Sequence, residues 1–124
     1  MKKARLAVIG TGDLAQSQHL PNIRQSKLAE VAALCDLNHE LLQRLGRQYP
    51  SAKQNTDYQE LLADPGIDGV IIATREDTHV PLTVEALRAG KHVYVEKPLA
   101  ETPEECNKVI EARAASGKCV IVGM

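Results

Sequence analysis

Residues 6–15 read LAVIGTGDLA, a short apolar run that leads directly into a glycine-rich turn. An apolar run of this length, followed by such a turn and a helical pattern, is typical of the first strand of a parallel α/β sheet. In the pattern G-x-G-x-x-A, Gly10 allows a tight turn, Gly12 lets a ligand come close to the main chain, and Ala15 lets the helix pack closely on the strand. The stretch therefore predicts a strand, a ligand-binding turn and a helix in succession.

Apolar runs and helical patterns alternate from this turn onward, which is typical of β-α-β units with helices on both faces of a parallel sheet. The predicted strands are residues 5–9, 30–35, 53–55, 69–73, 92–95 and 120–122. The predicted helices are residues 13–25, 39–48, 58–63, 81–89 and 103–116. The predicted fold class is α/β, a Rossmann-like doubly wound parallel sheet in three αβα layers, with residues 1–124 forming one dinucleotide-binding domain.

Two prolines affect the predicted helix boundaries. Pro21 falls inside the first helix and removes a backbone donor, so we predict a kink or break near His19 and Leu20. Thr102 and Pro103 supply a cap residue and a proline at the first helical position, which predicts a helix start there.

Composition restricts the partners of the chain. The 124 residues carry a net charge of −1, include no Phe or Trp, and have no basic cluster beyond Lys2 and Lys3. We therefore expect an aliphatic core and neither nucleic acid nor a membrane as partner. No signal-peptide pattern or long apolar run is present, which favours a cytoplasmic location. The three cysteines lack metal-ligand or C-x-x-C spacing, so we expect buried, reduced thiols and no metal site.

Asp36 ends the second predicted strand, about 20 residues beyond the glycines, where a carboxylate can accept hydrogen bonds from the adenosine ribose. An alternative role for Asp36 is a helix N-cap or a solvated turn acid. Its charge would repel a 2′-phosphate, and neither Leu37 nor Asn38 supplies a cation to receive one. The sequence therefore favours NAD over NADP as the cofactor.

Two further segments follow strands at the same edge of the sheet. The loop from Thr74 to His79 follows the fourth predicted strand and is expected to line the cofactor groove. His79 is a candidate ligand contact, with a capping or packing role as the alternative. Glu96 and Lys97 follow the fifth strand, which would place the lysine amine beside the nicotinamide end of the cofactor. A surface salt bridge in a turn is the alternative for this pair.

The sequence GTGDLA, Asp36, the loop from Thr74 to His79 and above all Glu96-Lys97-Pro98 resemble the glucose-fructose oxidoreductase/inositol dehydrogenase (Gfo/Idh/MocA) family over the whole chain. The resemblance implies an NAD(P)-dependent oxidoreductase that oxidises a secondary alcohol of a sugar, cyclitol or related small molecule by hydride transfer. It also implies that Lys97 is catalytic, through substrate and cofactor positioning or proton transfer. Because a carboxylate close to the amine would oppose a fall in the pKa of Lys97, we assign Glu96 an orienting role. The predicted cofactor contacts are Gly10, Thr11, Gly12, Asp13, Leu14, Asp36, Thr74, His79, Glu96 and Lys97.

This chain departs from the family in one place and lacks part of it in another. The loop after the fourth strand usually reads Thr-Pro-Asn in the family, whereas here it reads Thr74-Arg75-Glu76. The family's substrate-binding C-terminal domain is not in this sequence, so we expect the small-molecule substrate, turnover and any homo-oligomer to depend on that domain. An imine or carbonyl reductase, an NAD-dependent glycosidase and a non-catalytic NAD-responsive binding module remain alternatives.

Overall fold

The sheet contains six parallel strands in the computed structural model, which describes residues 2–123. The strands are β1 Ala4–Ile9, β2 Ala29–Cys35, β3 Lys53–Asn55, β4 Gly69–Ile72, β5 His92–Val95 and β6 Val120–Val122. Their order in the sheet is β3-β2-β1-β4-β5-β6, and every neighbouring pair is parallel. This order reverses direction between β1 and β4, as in dinucleotide-binding doubly wound folds. The predicted fold class is confirmed.

The helices connect the strands and cover the two faces of the sheet. They are α1 Leu20–Gln25, α2 His39–Gln48, α3 Tyr58–Leu62, α4 His79–Arg88 and α5 Pro103–Ser116. The Thr102 hydroxyl accepts a hydrogen bond from Glu105 N at 3.2 Å, which confirms the predicted start of α5. At its other end, Gly117 adopts a left-handed φ of 69°. Among residues 2–123, no helix combines the length and apolarity needed to cross a membrane.

A π-helical turn, Ala15–His19, precedes α1 and contains the predicted irregularity. The Leu20 N–H bonds to Ala15 O, a wider ring than an α-helix makes, and Pro21 follows immediately in the first turn of α1. Since a π-bulge and a proline both disturb the regular helical hydrogen-bond ladder, the disruption near His19 is confirmed in this form.

Helix α4 begins at His79, two residues before the predicted start at Pro81, and follows a 3-10 turn at Glu76–Thr78. The first four N–H groups of a helix have no intrahelical acceptor, so a proline is tolerated anywhere in that turn. Placing Pro81 at the first helical position was therefore wrong by two residues.

The core is aliphatic and lies on both faces of the sheet, as the composition predicts. On one face, Leu20 and Leu42 pack against Val8 and Leu34 of the central strands. A second cluster on the other face includes residues from α3, α4 and α5 and the fully buried Ile72 of β4. Full burial of such a side chain stabilises the fold by about 1.5–3 kcal/mol.

The cysteines have three different environments. Cys35 is buried at the end of β2, Cys106 is half-buried and Cys119 is exposed, and all three are free thiols. The expectation of buried thiols therefore holds for Cys35 and is wrong for Cys119, which precedes β6.

Candidate functional site

A groove of about 770 Å³ lies at the carboxyl ends of β1, β2 and β4. Gly10 and Gly12 line its floor, Asp36 lines one side, and Thr74 and Arg75 line the other. This position is the point at which the strand order reverses, where ligands bind in open α/β sheets. The topology therefore brings the predicted glycine turn, Asp36 and the loop after β4 into one concave site.

The two glycines of the turn have different surroundings. Gly10 has a φ of +91°, and a Cβ there would lie 2.5 Å from Ala73 O, so neither the conformation nor the space admits a side chain. A Cβ at Gly12 would meet no atom within 4 Å, since this position faces the open groove. Gly10 therefore secures the backbone turn, while Gly12 leaves room for a ligand to approach the main chain.

Asp36 is anchored on the glycine turn by hydrogen bonds. The backbone N–H and the hydroxyl of Thr11 both donate to Asp36 Oδ2 at 2.8 Å, and Asn38 N donates to Oδ1 at 2.9 Å. Burial opposes ionisation of Asp36, but the hydrogen bonds from Asn38 and Thr11 outweigh it and lower the pKa of the carboxyl. Asp36 is therefore a fixed carboxylate at the edge of the groove.

Helix α2 is capped by Asn38 rather than by Asp36. The Asn38 side chain accepts a hydrogen bond from Leu41 N at 3.1 Å. The alternative in which Asp36 is a helix N-cap is therefore wrong, although Asp36 does order the turn that leads to the cap.

The loop after β4 is held by its threonine side chains. Thr78 Oγ1 donates to Arg75 O at 2.6 Å, so its contact with Thr74 Oγ1 at 2.6 Å has the Thr74 hydroxyl as donor. The Arg75 side chain is 82% exposed and pairs with Asp77 at 3.2 Å. The residues that depart from the family pattern therefore form a local turn with a charged outer edge on the groove wall.

His79 lies beneath the groove. It is 1% exposed, with Nδ1 2.8 Å from Pro98 O and Nε2 3.0 Å from Thr74 O. Because both ring nitrogens face backbone carbonyl oxygens and the ring is covered, the structure does not present His79 to a ligand. His79 therefore has the packing role that was the alternative to a ligand contact. Its ring connects the loops after β4 and β5.

Glu96 and Lys97 point to different surroundings after β5. Lys97 is exposed, whereas the Glu96 carboxylate is 17% exposed and hydrogen-bonds His19 Nε2. Among the ion pairs of residues 2–123, none joins Glu96 to Lys97. His19 is not among the residues predicted for the site, and its place at the predicted helix break is the sequence signal that marks it.

Asp13 and Leu14 lie at the start of the helical segment after the glycine turn. Both are exposed, with 39% of Leu14 accessible, and Gly12 O accepts from Gln16 N at 3.0 Å. Their backbone N–H groups belong to the first turn of this segment, where donors lack intrahelical acceptors and favour anions. Within residues 2–123, no group of three His, Cys, Asp or Glu side chains is placed to hold a metal ion.

The family model GFO_IDH_MocA, described as an oxidoreductase family with an NAD-binding Rossmann fold, matches residues 4–124. The chain belongs to this family. An inositol 2-dehydrogenase/D-chiro-inositol 3-dehydrogenase from Shouchella clausii is 38% identical over 122 residues, covering 94% of this chain and 34% of the relative. A glycosyl hydrolase family 109 protein from Shewanella baltica is 32% identical over 127 residues, covering 95% of this chain and 28% of the relative.

Solved structures of oxidoreductases share the fold of this GFO_IDH_MocA domain. A 3-ketoreductase from Actinomadura kijaniata, in complex with NADP and TDP-benzene, superposes with a TM-score of 0.91 at 26% identity, covering 98% of this chain and 37% of that one. The chain thus spans about a third of the length of these proteins. The NAD-binding Rossmann domain of the family is the part that it contains.

Proposed function

We propose that this chain is the cofactor domain of an NAD-dependent oxidoreductase acting on a secondary alcohol of a sugar, cyclitol or related small molecule. The observation that carries the proposal is the Asp36 carboxylate, held by Thr11 beside the open face of Gly12. Family membership and the inositol dehydrogenase relative support the reaction class. Substrate binding and turnover belong to the longer protein, through a C-terminal domain that follows this unit.

The residues of the groove fit a dinucleotide. A pyrophosphate needs backbone N–H donors with no side chain in front of them, which the open space at Gly12 and the exposed turn at Asp13 and Leu14 provide. A ribose diol needs an ionised acceptor, and the lowered pKa of Asp36 keeps one available. The nicotinamide ring, when bound, supplies hydride acceptance.

We assign NAD rather than NADP because of the charges around the ribose position. Asp36 would repel a 2′-phosphate, and a hydrogen bond to a charged group is worth about 1.5–3 kcal/mol, or roughly ten- to a hundredfold in affinity. Arg75 lies on the same groove but already pairs with Asp77. Arg75 is the cation among the groove-lining residues and is therefore the residue to substitute if NADP binds more tightly than NAD.

Lys97 is the proposed catalytic residue. It follows β5 at the carboxyl edge of the sheet and is exposed there, while the Glu96 carboxylate hydrogen-bonds His19. An ammonium at this place can position a substrate hydroxyl and exchange a proton with it. Removing a general acid or base typically lowers the rate by about 10²- to 10⁴-fold.

Calorimetric titration of the chain with NAD and NADP tests this function. Tighter binding of NAD is expected, and Asp36→Ala should weaken NAD binding and narrow the difference from NADP. The matched control is Glu111→Gln, which removes a negative charge at an exposed position on α5, away from the groove. If Asp36→Ala binds NAD and NADP each as tightly as wild type does, the assignment of Asp36 to the ribose is refuted.

An NAD-dependent glycosidase is the second candidate, favoured by the glycosyl hydrolase family 109 relative. The cofactor groove would be the same in both cases, so the difference lies in the substrate. Assay of the longer protein on inositols and on aryl glycosides separates the two, because only the glycosidase releases an aryl alcohol without net reduction of added NAD.

A further inference from the structure

His19 belongs to a side-chain cluster with Glu96 and Tyr94 at the end of β5. Its Nε2 hydrogen-bonds Glu96 Oε1, and its ring meets the Tyr94 ring edge-on, with centroids 5.3 Å apart and planes inclined by 69°. The side chains of His19 and Glu96 are 11% and 17% exposed. The Glu96 carboxylate is therefore held in a largely covered position by a ring that is itself fixed against an aromatic neighbour.

The second oxygen of Glu96 is confined by the neighbouring strand. A Cβ at Gly123, just beyond β6, would lie 3.0 Å from Glu96 Oε2 and 2.7 Å from Tyr94 Oη. The absence of a side chain at Gly123 is thus what admits both groups. Three separate parts of the chain, the π-helical turn, β5 and the residue after β6, define one position for the Glu96 carboxylate.

This position determines what Lys97 encounters. Without His19, a mostly covered carboxylate would lose its hydrogen-bonding partner, which is costly at low exposure. Lys97 is next to Glu96 in the sequence, so a carboxylate released from His19 is free to turn outward and pair with the Lys97 ammonium. An ion pair between these neighbours would offset the positive charge of the Lys97 ammonium and draw it away from a bound ligand.

We propose that His19 is a positioning residue for the nicotinamide end of the cofactor site, because it holds Glu96 away from Lys97 and leaves the amine free. The inference rests on the proposed function, since it requires a dinucleotide in the groove. It predicts that His19 affects the nicotinamide half of the ligand and not the adenosine diphosphate half.

Titration with NADH and ADP-ribose tests this separation, because the two ligands carry the same charge on their phosphates and differ in the nicotinamide. His19→Phe keeps a ring against Tyr94 but removes the nitrogen that contacts Glu96. We expect about tenfold weaker NADH binding and ADP-ribose binding within about twofold of wild type. His19→Gln retains an amide donor and should restore NADH affinity to within about threefold of wild type.

His39→Phe is the matched control, since His39 is exposed on α2 and its side chain contacts Gln43. It should leave the affinities for both ligands unchanged. Gly123→Ala approaches the same carboxylate from the other side, and we expect it to produce the same selective loss of NADH affinity. This variant replaces His19→Phe as the test if the phenylalanine variant does not fold.

The outcomes separate this inference from the proposed function. If wild type binds neither ligand, the proposed function itself fails. If wild type binds both, three results would overturn the role of His19: equal wild-type affinities for NADH and ADP-ribose, a His19→Phe variant that behaves as wild type, or equal weakening of both ligands. The last result, with a lower melting temperature, would assign His19 to the stability of the fold.

Discussion

Thr11 donates two hydrogen bonds to the same oxygen of Asp36, one from its backbone N–H and one from its hydroxyl, both at 2.8 Å. Thr11 is completely buried, so this pair joins the glycine turn after β1 to the end of β2 inside the protein. The acid expected to bind ribose is therefore oriented before any ligand arrives.

Thr11→Val removes the hydroxyl donor and preserves the shape of the side chain and the backbone donor. We expect a loss of about 1–3 kcal/mol in the free energy of unfolding and about five- to tenfold weaker NAD binding, because one charge-assisted hydrogen bond is lost. Denaturant unfolding and calorimetry measure both. Thr56→Val, at an exposed position before α3, is the control and should change neither. Unaltered NAD affinity in Thr11→Val would show that the hydroxyl does not orient Asp36.

Gly12→Val and Gly10→Ala should affect different properties: the first should weaken NAD binding, and the second should destabilise the fold. Gly12 faces open space, so a side chain there should reduce NAD affinity by more than about tenfold while changing the unfolding free energy by less than about 1 kcal/mol. Gly10→Ala should lower the melting temperature, because it places a Cβ 2.5 Å from Ala73 O on a residue with a positive φ. Melting curves with and without NAD distinguish them. A destabilised Gly12→Val with normal NAD affinity would contradict the assignment.

The acid stability of the fold should depend on Asp36. Its pKa is lowered from 3.8 in the folded chain, so the unfolded chain binds the proton more readily. The contribution to stability is therefore complete above the unfolded pKa and is lost as the pH falls through the folded pKa. Urea unfolding of wild type and Asp36→Asn between pH 7 and about pH 2 should show the wild-type advantage shrinking below about pH 4. A constant difference across this range would indicate that Asp36 titrates alike in both states.

Cysteine reactivity should follow exposure and charge. Burial, followed by the nearby charges of Asp36 and Asp57, raises the pKa of Cys35 to about 11, so its thiol stays protonated near neutral pH. Iodoacetamide at about pH 8 should label the exposed Cys119 first and Cys35 only after unfolding. Peptide mass spectrometry over time gives the order. Early labelling of Cys35 in the folded chain would mean that the groove opens more than the structure shows.

Lys91 should contribute to stability without affecting the cofactor groove. It is 5% exposed and donates to Asp64 O at 2.6 Å and Ile67 O at 2.7 Å, while burial lowers its pKa. Lys91→Met keeps the aliphatic stem but leaves two carbonyls without this donor, so we expect a loss of about 2–4 kcal/mol. Lys27→Met, at an exposed position, is the control for denaturant unfolding. Weaker NAD binding at a temperature where Lys91→Met remains folded would contradict this purely structural role.

Strands β1, β2, β4, β5 and β6 were predictable because each contains a short apolar run between turn or helix signals, as a strand covered on both faces requires, whereas β3 is polar and lies at the edge of the sheet. The predicted bounds of β3, β5 and β6 agree with the structure, and β1 differs by one residue. Asp36 could be placed in the groove because the ends of β1 and β2 lie side by side in this topology. These inferences need only local pattern and strand order.

The contacts of the histidines could not be predicted in the same way. His79 differs from a ligand-facing residue only through burial beneath Thr74 and Pro98, and burial depends on how two loops pack. The pairing of His19 with Glu96 depends on the rotation of the segment before α1, which the π-helical turn sets. The local sequence predicts a disruption of the helix near His19, but it does not determine which way the His19 side chain points.

His79 also has a mechanical consequence. The buried His79 ring contacts the backbone of both Thr74 and Pro98. It therefore links the loop after β4 to the segment that carries Lys97. Neither segment can swing outward alone without breaking a contact to this imidazole. The loop after β4 and the segment that carries Lys97 are therefore expected to shift together rather than independently.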